Sequence, residues 1–179
     1  MKAFEHLGKR VVYKGSIVDF CKEKLRLPNG NVVDWDLVDH KGAAAVVAVR
    51  EDGKIVMVRQ YRPALRRFTL EIPAGGLNEG EETKQAAERE LEEETGYRCK
   101  KIELLHHLQT TVAFTNERID TFWATDLEKT EQQLDEDEFV QIEYYTIEEL
   151  MDMIFDGTIE DGKTIAGLMI YKNKICDKR

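Results

Sequence analysis

GGLNEGEETKQAAERELEEETGY, residues 75–97, is the stretch whose reading decides this chain. Gly75 is followed after five residues by Glu81, and after seven more by Arg89-Glu90-Leu91-Glu92-Glu93-Glu94-Thr95-Gly96-Tyr97. The pattern predicts a helix from Gly80 to Glu94, with Ala86, Ala87 and Leu91 as a narrow apolar face and Gly96 as a left-handed C-terminal cap. Glu90, Glu93 and Glu94 then share one face of the helix. Like charges at this spacing repel by roughly 0.2–0.5 kcal/mol per pair. Late in a helix they also face the negative end of its dipole. Such a helix makes little sense as scaffold alone.

A hard cation turns that repulsion into binding. Magnesium takes oxygen ligands in octahedral geometry, keeps several waters and shares phosphate oxygens. Arg89, one turn from its acidic neighbours, can pair with a carboxylate and hold the rotamer a metal needs. The alternative is a solvated acidic face, which an arbitrary glutamate-rich helix would usually be. The joint occurrence of two glycines, the arginine and the spaced glutamates favours the metal cage.

Residues 75–97 resemble the Nudix box: glycine, five residues, glutamate, seven residues, then Arg-Glu-aliphatic-x-Glu-Glu-x-Gly-aliphatic. Every glycine and polar position matches, and the departure is Tyr97, where an aliphatic residue is usual; a packing change is expected there. Upstream, Arg59-Gln60-Tyr61-Arg62 and Glu71-Ile72-Pro73-Ala74-Gly75-Gly76 resemble the ADP-ribose and nucleoside diphosphate sugar pyrophosphatase branch of the Nudix hydrolases. Phe114-Thr115-Asn116-Glu117 resembles the catalytic loop of that branch, and Asp161-Gly162-Lys163-Thr164 recurs there.

The whole chain fits an ordinary enzyme. Its 179 residues can bury a real core. A formal net charge of −9 argues against nucleic acid as a partner. It would also repel an anionic substrate unless metal and local arginines reverse the field at the site. Cys21, Cys99 and Cys176 show no metal-like spacing and suggest reduced thiols, hence a cytoplasmic protein. The first residues carry no apolar signal core, and the longest apolar run, Ala43 to Val49, is too short to span a bilayer, so no membrane partner is expected.

Strands are expected through residues 10–39, with Val33, Trp35 and Leu37 alternating with Asp34 and Asp36. Pro28-Asn29-Gly30-Asn31 is a turn signal between two of them. Ala43–Val49 and Ile55–Gln60 read as strands, and Phe68, Leu70 and Ile72 alternate before Pro73. Ile102–Leu108, Ile119–Ala124 and Phe139–Tyr145 read as further strands. Glu128 to Glu138 is strongly acidic and reads as a loop. Thr146 to Phe155 carries a capping box, Thr146 with Glu149, and a last helix follows Asp161 to about Ile175. The pattern implies α+β; the resemblance implies a Nudix α/β/α sandwich with a mixed sheet. A small N-terminal antiparallel sheet over residues 1–40 would precede a hydrolase domain over 41–179. The resemblance further implies a homodimer using the N-terminal strands.

The resemblance also implies the chemistry: metal-dependent hydrolysis of the diphosphate bond in a nucleoside diphosphate linked to a sugar, giving a nucleoside monophosphate and a sugar phosphate. Magnesium is the expected cofactor, with manganese as a substitute. The matching ligands are Glu90, Glu94 and Glu93, with the backbone carbonyl of Ala74. Glu81 is either an outer ligand or a charge at the helix start. A general base must reach the attacking water while the helix glutamates hold metal. Glu117 is the matching loop residue, so Glu93, Glu117 and Arg89 are the catalytic candidates.

Arg62 matches the diphosphate-binding arginine, a planar fork suited to phosphate oxygens. Arg59, Arg66 and Arg67 are weaker candidates. Trp35 would stack on a base or pack inside its strand. His6 and His40 show no evident partner, and no histidine is assigned a role.

ADP-ribose pyrophosphatases carry a proline sixteen residues after the last box glycine; here that position is Val112. The choice between ADP-ribose and a nucleotide sugar therefore stays open. The competing readings are a housecleaning hydrolase of nucleoside triphosphates, a non-catalytic ADP-ribose sensor and an acidic calcium binder. Intact box glutamates and the absence of a basic DNA-binding segment weigh against the sensor.

Overall fold

A computed structural model describes residues 3–134 and 138–177. By backbone proximity the chain divides into two compact units, Met1–Gly42 with Gln109–Arg118, and Ala43–Leu108 with Ile119–Arg179.

The first unit is an antiparallel meander of β1 (Glu5–Lys14), β2 (Val18–Arg26) and β3 (Val32–His40). The expected turn between β2 and β3 forms. Gly30 takes φ 91°, and the Leu27 amide donates to the Asn31 carbonyl at 2.8 Å. The β2–β3 register is regular from Val18↔His40 to Arg26↔Val32. The β1–β2 register shifts between His6 and Gly8 and again between Val11 and Tyr13, the signature of bulges that twist a strand. The segment Gln109–Arg118 joins this unit beside β3. There the Val38 amide donates to the Phe114 carbonyl at 2.7 Å, and the Asn116 side chain bonds His40 and Asp39. Burial at Trp35 is not what the strand provides: its ring is half exposed and lies at a tilt against Phe4.

The second unit is built on a mixed sheet of order β10-β5-β4-β9-β8. Its members are β4 (Ala43–Val49), β5 (Ile55–Arg62), β8 (Tyr97–Gln109), β9 (Arg118–Lys129) and β10 (Val140–Tyr145). Two short strands attach to it, β6 (Arg67–Glu71) on β5 and β7 (Ala74–Gly76) on β4. β4 runs parallel to β9 and antiparallel to β5 and β7. Six of its seven residues are buried, so both faces are covered, and the period-two geometry of a strand shows why. Ala44, Val46 and Ala48 pack with Ala86, Ala87 and Leu91 of helix α1 (Thr83–Thr95). Ala43, Ala45 and Val47 pack on the other side with Leu150 of α2 (Ile147–Phe155) and Leu168 of α3 (Gly162–Tyr171). This is the sandwich that the resemblance implies, with the small alanines letting α1 lie close to the sheet.

The caps behave as read. Gly96 ends α1 at φ 63°, ψ 34°. Thr146 accepts from the Glu149 amide at 3.2 Å, and Glu149 returns a bond to the Thr146 amide at 2.8 Å. Tyr97 is buried beside Tyr144.

Some details differ from the sequence reading. α1 begins at Thr83, not Gly80, because Gly80 is left-handed at φ 77°. The β6 alternation fails: Phe68 is exposed, while Thr69, Leu70, Glu71 and Ile72 are all buried, since polar partners wait for Thr69 and Glu71 on the second face. β9 extends to Lys129 into the acidic stretch expected as a loop, of which residues 135–137 lie outside the described residues. The last helix follows Asp161 and reaches the expected end near Ile175, its final part, Lys172–Cys176, being a π-helical turn. Among the described residues no helix is long and apolar enough to cross a membrane.

Candidate active site

The box residues meet at the C-terminal half of α1 and at β7. Gly75 lies against the side chain of Glu90: a Cβ at Gly75 would come closer than 3.0 Å to Cδ and both carboxylate oxygens. Only glycine leaves room for that carboxylate. The amide of Ala74 donates to Glu94 Oε2 at 3.0 Å. β7 thus seats two of the box glutamates, Glu90 by its shape and Glu94 by its backbone donor.

Arg89 organises the rest. Its Nε and Nη2 donate to the two oxygens of Glu81 at 2.9 and 3.0 Å. Nη1 donates to Glu90 at 2.7 Å and Glu93 at 2.9 Å, and Nη2 reaches the Gly76 carbonyl at 3.0 Å. One guanidinium therefore serves three carboxylates and ties α1 to β7. Glu81, left open between two roles by the sequence, is here the bidentate anchor of Arg89; that bond holds its carboxyl below the usual range.

The charge is incompletely balanced. Burial pushes the Glu94 carboxyl up to about 8, against the pull of the Ala74 amide. Burial also raises Glu90, although Arg89 opposes it. Two buried carboxylates without a full set of donors are costly unless a cation joins them. Among the described residues no three acidic, histidine or cysteine side chains converge as a ready-made metal cluster; Arg89 draws Glu90 and Glu93 toward itself and the Ala74 amide holds Glu94. The donor set is nonetheless all oxygen, which suits a hard divalent cation.

A second network lies in the same unit. Arg62 donates to Glu71 through Nε at 2.7 Å and Nη2 at 2.6 Å. Lys163 also bonds Glu71, and bonds Asp161 at 2.9 Å. Burial alone would raise the Glu71 carboxyl, but Arg62, Lys163 and Thr69 hold it at about 2. Glu71 and Lys163 had no role in the sequence reading, although both lie inside motifs quoted there.

In the first unit Glu117 accepts from Thr110 Oγ1 at 2.6 Å, and His40 Nε2 stands 3.7 Å from its carboxylate. His40 therefore has partners, contrary to the sequence reading: Nδ1 also accepts from the Gly42 amide at 2.9 Å. His6 likewise pairs with Glu23 at 2.9 Å. The Glu117 and Glu23 contacts cross between segments distant in sequence, so neither was visible in it. Val112 is almost fully exposed at the turn before Glu117.

Residues 39–168 match the family described as NUDIX domain. The chain belongs to the Nudix family. Its relatives narrow the branch. An ADP-ribose pyrophosphatase of Bacillus subtilis (strain 168) is 40% identical over 178 residues, 97% of this chain and 96% of the relative. An ADP-ribose pyrophosphatase of Mycobacterium tuberculosis (strain ATCC 25618 / H37Rv) is 32% identical, covering 93% and 82%. A Bacillus methanolicus protein named methanol dehydrogenase activator is 42% identical, covering 86% and 84%. A crystal structure titled as an ADP compounds hydrolase superposes with a TM-score of 0.86 at 19% identity, covering 98% of this chain and 95% of that one, and shares its fold. The chain is a Nudix hydrolase of the ADP-ribose pyrophosphatase-like kind, and the acidic helix of residues 83–95 is its Nudix helix.

Proposed function

We propose that this Nudix hydrolase cleaves the diphosphate bond of a nucleoside diphosphate linked to a sugar, ADP-ribose first, releasing a nucleoside monophosphate and a sugar phosphate. The observation that carries the reading is the Arg89 clamp on Glu81, Glu90 and Glu93 beside the Gly75 seat. Glu90, Glu93, Glu94 and the Ala74 carbonyl would hold magnesium, with manganese as a substitute. When bound, the metal neutralises the diphosphate and acidifies the attacking water.

The chain's own residues do the rest. Arg89 holds Glu90 and Glu93 in fixed rotamers, so less ordering is needed as the site fills. Arg62 grips diphosphate oxygens. Glu117 accepts a proton from water as the water oxygen bonds phosphorus, and the bridging P–O bond breaks with its electron pair leaving on the departing phosphate. Trp35, half exposed, is free to stack on a base.

The protein is further read as a cytoplasmic homodimer. All ten residues of β1 are exposed, Leu7, Val11, Val12 and Tyr13 among them, which suits a second copy of the chain. The cysteines are unpaired, as expected of a reducing compartment.

The test is turnover of ADP-ribose, GDP-mannose, UDP-glucose, ADP-glucose and dGTP with magnesium, each repeated with EDTA. Magnesium-dependent cleavage with ADP-ribose or a nucleotide sugar preferred supports the reading. Preference for dGTP would replace it with a triphosphate housecleaning role.

A further inference from the structure

Glu71 is 2% exposed and sits at the end of β6, three residues before Ala74. Its carboxylate is saturated. Oε1 accepts from Arg62 Nε and from Thr69 Oγ1 at 2.6 Å, and Oε2 accepts from Arg62 Nη2 and from Lys163. An ionised carboxylate offers about four lone-pair sites, so these donors fill it. A buried charge is tolerated only when so paired.

The consequence falls on Arg62. A guanidinium has five N–H donors in a rigid plane. Glu71 takes the side-on edge, Nε with one N–H of Nη2. Among the described residues no hydrogen bond engages the end-on edge, formed by Nη1 and the other N–H of Nη2. The Arg62 side chain is 38% exposed, against 3% for that of Glu71, so the arginine is the more open partner of the pair. Lys163 is held just as firmly: its side chain is 10% exposed and it bridges Glu71 to Asp161, which in turn accepts from the Thr164 amide at 3.0 Å. Thr164 Oγ1 accepts from the Ile72 amide at 3.0 Å. The strand that carries Glu71 is thereby fastened to the start of α3, and the carboxylate cannot follow a ligand outward.

We infer that Glu71 is a positioning residue: it holds Arg62 side-on so that the end-on edge of the guanidinium is presented, pre-oriented, to a diphosphate oxygen pair. This rests on the reading of Arg62 as a diphosphate-binding residue. Pre-orientation removes the ordering cost of a long side chain at binding. Loss of Glu71 therefore weakens substrate binding and leaves the chemical step alone.

The experiment measures kcat and KM on ADP-ribose for Arg62→Ala, Glu71→Gln, the double variant and Glu71→Asp, with melting temperatures alongside. Glu71→Gln keeps the shape and loses the charge. It should raise KM about tenfold, equivalent to about 1.4 kcal/mol, with kcat changed less than threefold. Arg62→Ala should raise KM at least as much, and adding Glu71→Gln to it should raise KM no further. Glu71→Asp, which keeps the charge at a shorter reach, should recover part of the loss. If Glu71→Gln leaves KM unchanged, or multiplies the effect of Arg62→Ala, Glu71 is only a structural counter-ion and the inference falls while Arg62 keeps its role. If Arg62→Ala itself leaves KM unchanged, the reading of Arg62 falls first and takes the inference with it. Should Glu71→Gln not fold, Glu71→Asp decides alone: a raised KM at unchanged kcat supports the inference, and an unchanged KM overturns it.

Discussion

Gly75 and Glu90, fifteen positions apart in sequence, occupy one space: the carboxylate of Glu90 lies where any Cβ at Gly75 would stand. The glycine of the box is thus defined by a side chain on the helix that follows it. Gly75→Ala should displace Glu90 by about an ångström, and a displacement of that size costs about 100-fold in rate. Steady-state kinetics on ADP-ribose check this. A variant with wild-type kcat would show that Glu90 does not need its observed place.

Arg89→Lys tests the clamp. A lysine ammonium is a point donor and cannot span Glu81, Glu90 and Glu93 as a planar fork does. Activity should fall at least tenfold, with the magnesium concentration for half-maximal rate rising at the same time. If the rate falls but the magnesium dependence is unchanged, Arg89 acts on something other than the carboxylates.

Glu94 gives the metal-free protein a pH signature. Its folded-state pKa, about 8, lies above the ordinary 4.5. A raised pKa means that the associated stability is present in full below the unfolded value and is lost as pH rises through 8. In EDTA, wild type should therefore lose melting temperature between pH 5 and pH 8.5 relative to Glu94→Gln. The gap should widen by about 4 °C or more, given roughly 2–4 °C per kcal/mol for a chain of this size. A constant gap would mean that Glu94 is ionised at no such cost.

The exposed β1 strand gives a prediction on assembly. Val11→Arg together with Tyr13→Arg places charge on a strand that is open along its whole length. Sedimentation should show a dimer for the parent and a monomer for the variant. A parent that sediments as a monomer would remove the N-terminal sheet from the interface.

The sequence revealed most where chemistry repeats at short range. The box spacing located α1, its alanine face and its glycine cap, because those features depend on residues within a few turns. Thr146 with Glu149 was legible for the same reason. What stayed hidden arises from contacts across the fold. Glu71 read as one half of an alternating strand, yet its burial depends on Lys163, 92 positions away. His40 read as unpartnered because the loop that carries Asn116 and Glu117 returns to β3 only in three dimensions. Gly80 read as helical because nothing local in the chain announces a left-handed turn there.

The central claim, metal-assisted diphosphate cleavage by the Nudix helix, is tested most directly by product analysis. ADP-ribose would be incubated with the parent and with Glu90→Gln, with and without magnesium, and the products separated by anion-exchange chromatography. The account predicts AMP and ribose 5-phosphate in equal amounts from the parent with magnesium only, and at least about 100-fold less from Glu90→Gln. Equal product from Glu90→Gln, or cleavage undiminished by EDTA, would contradict it.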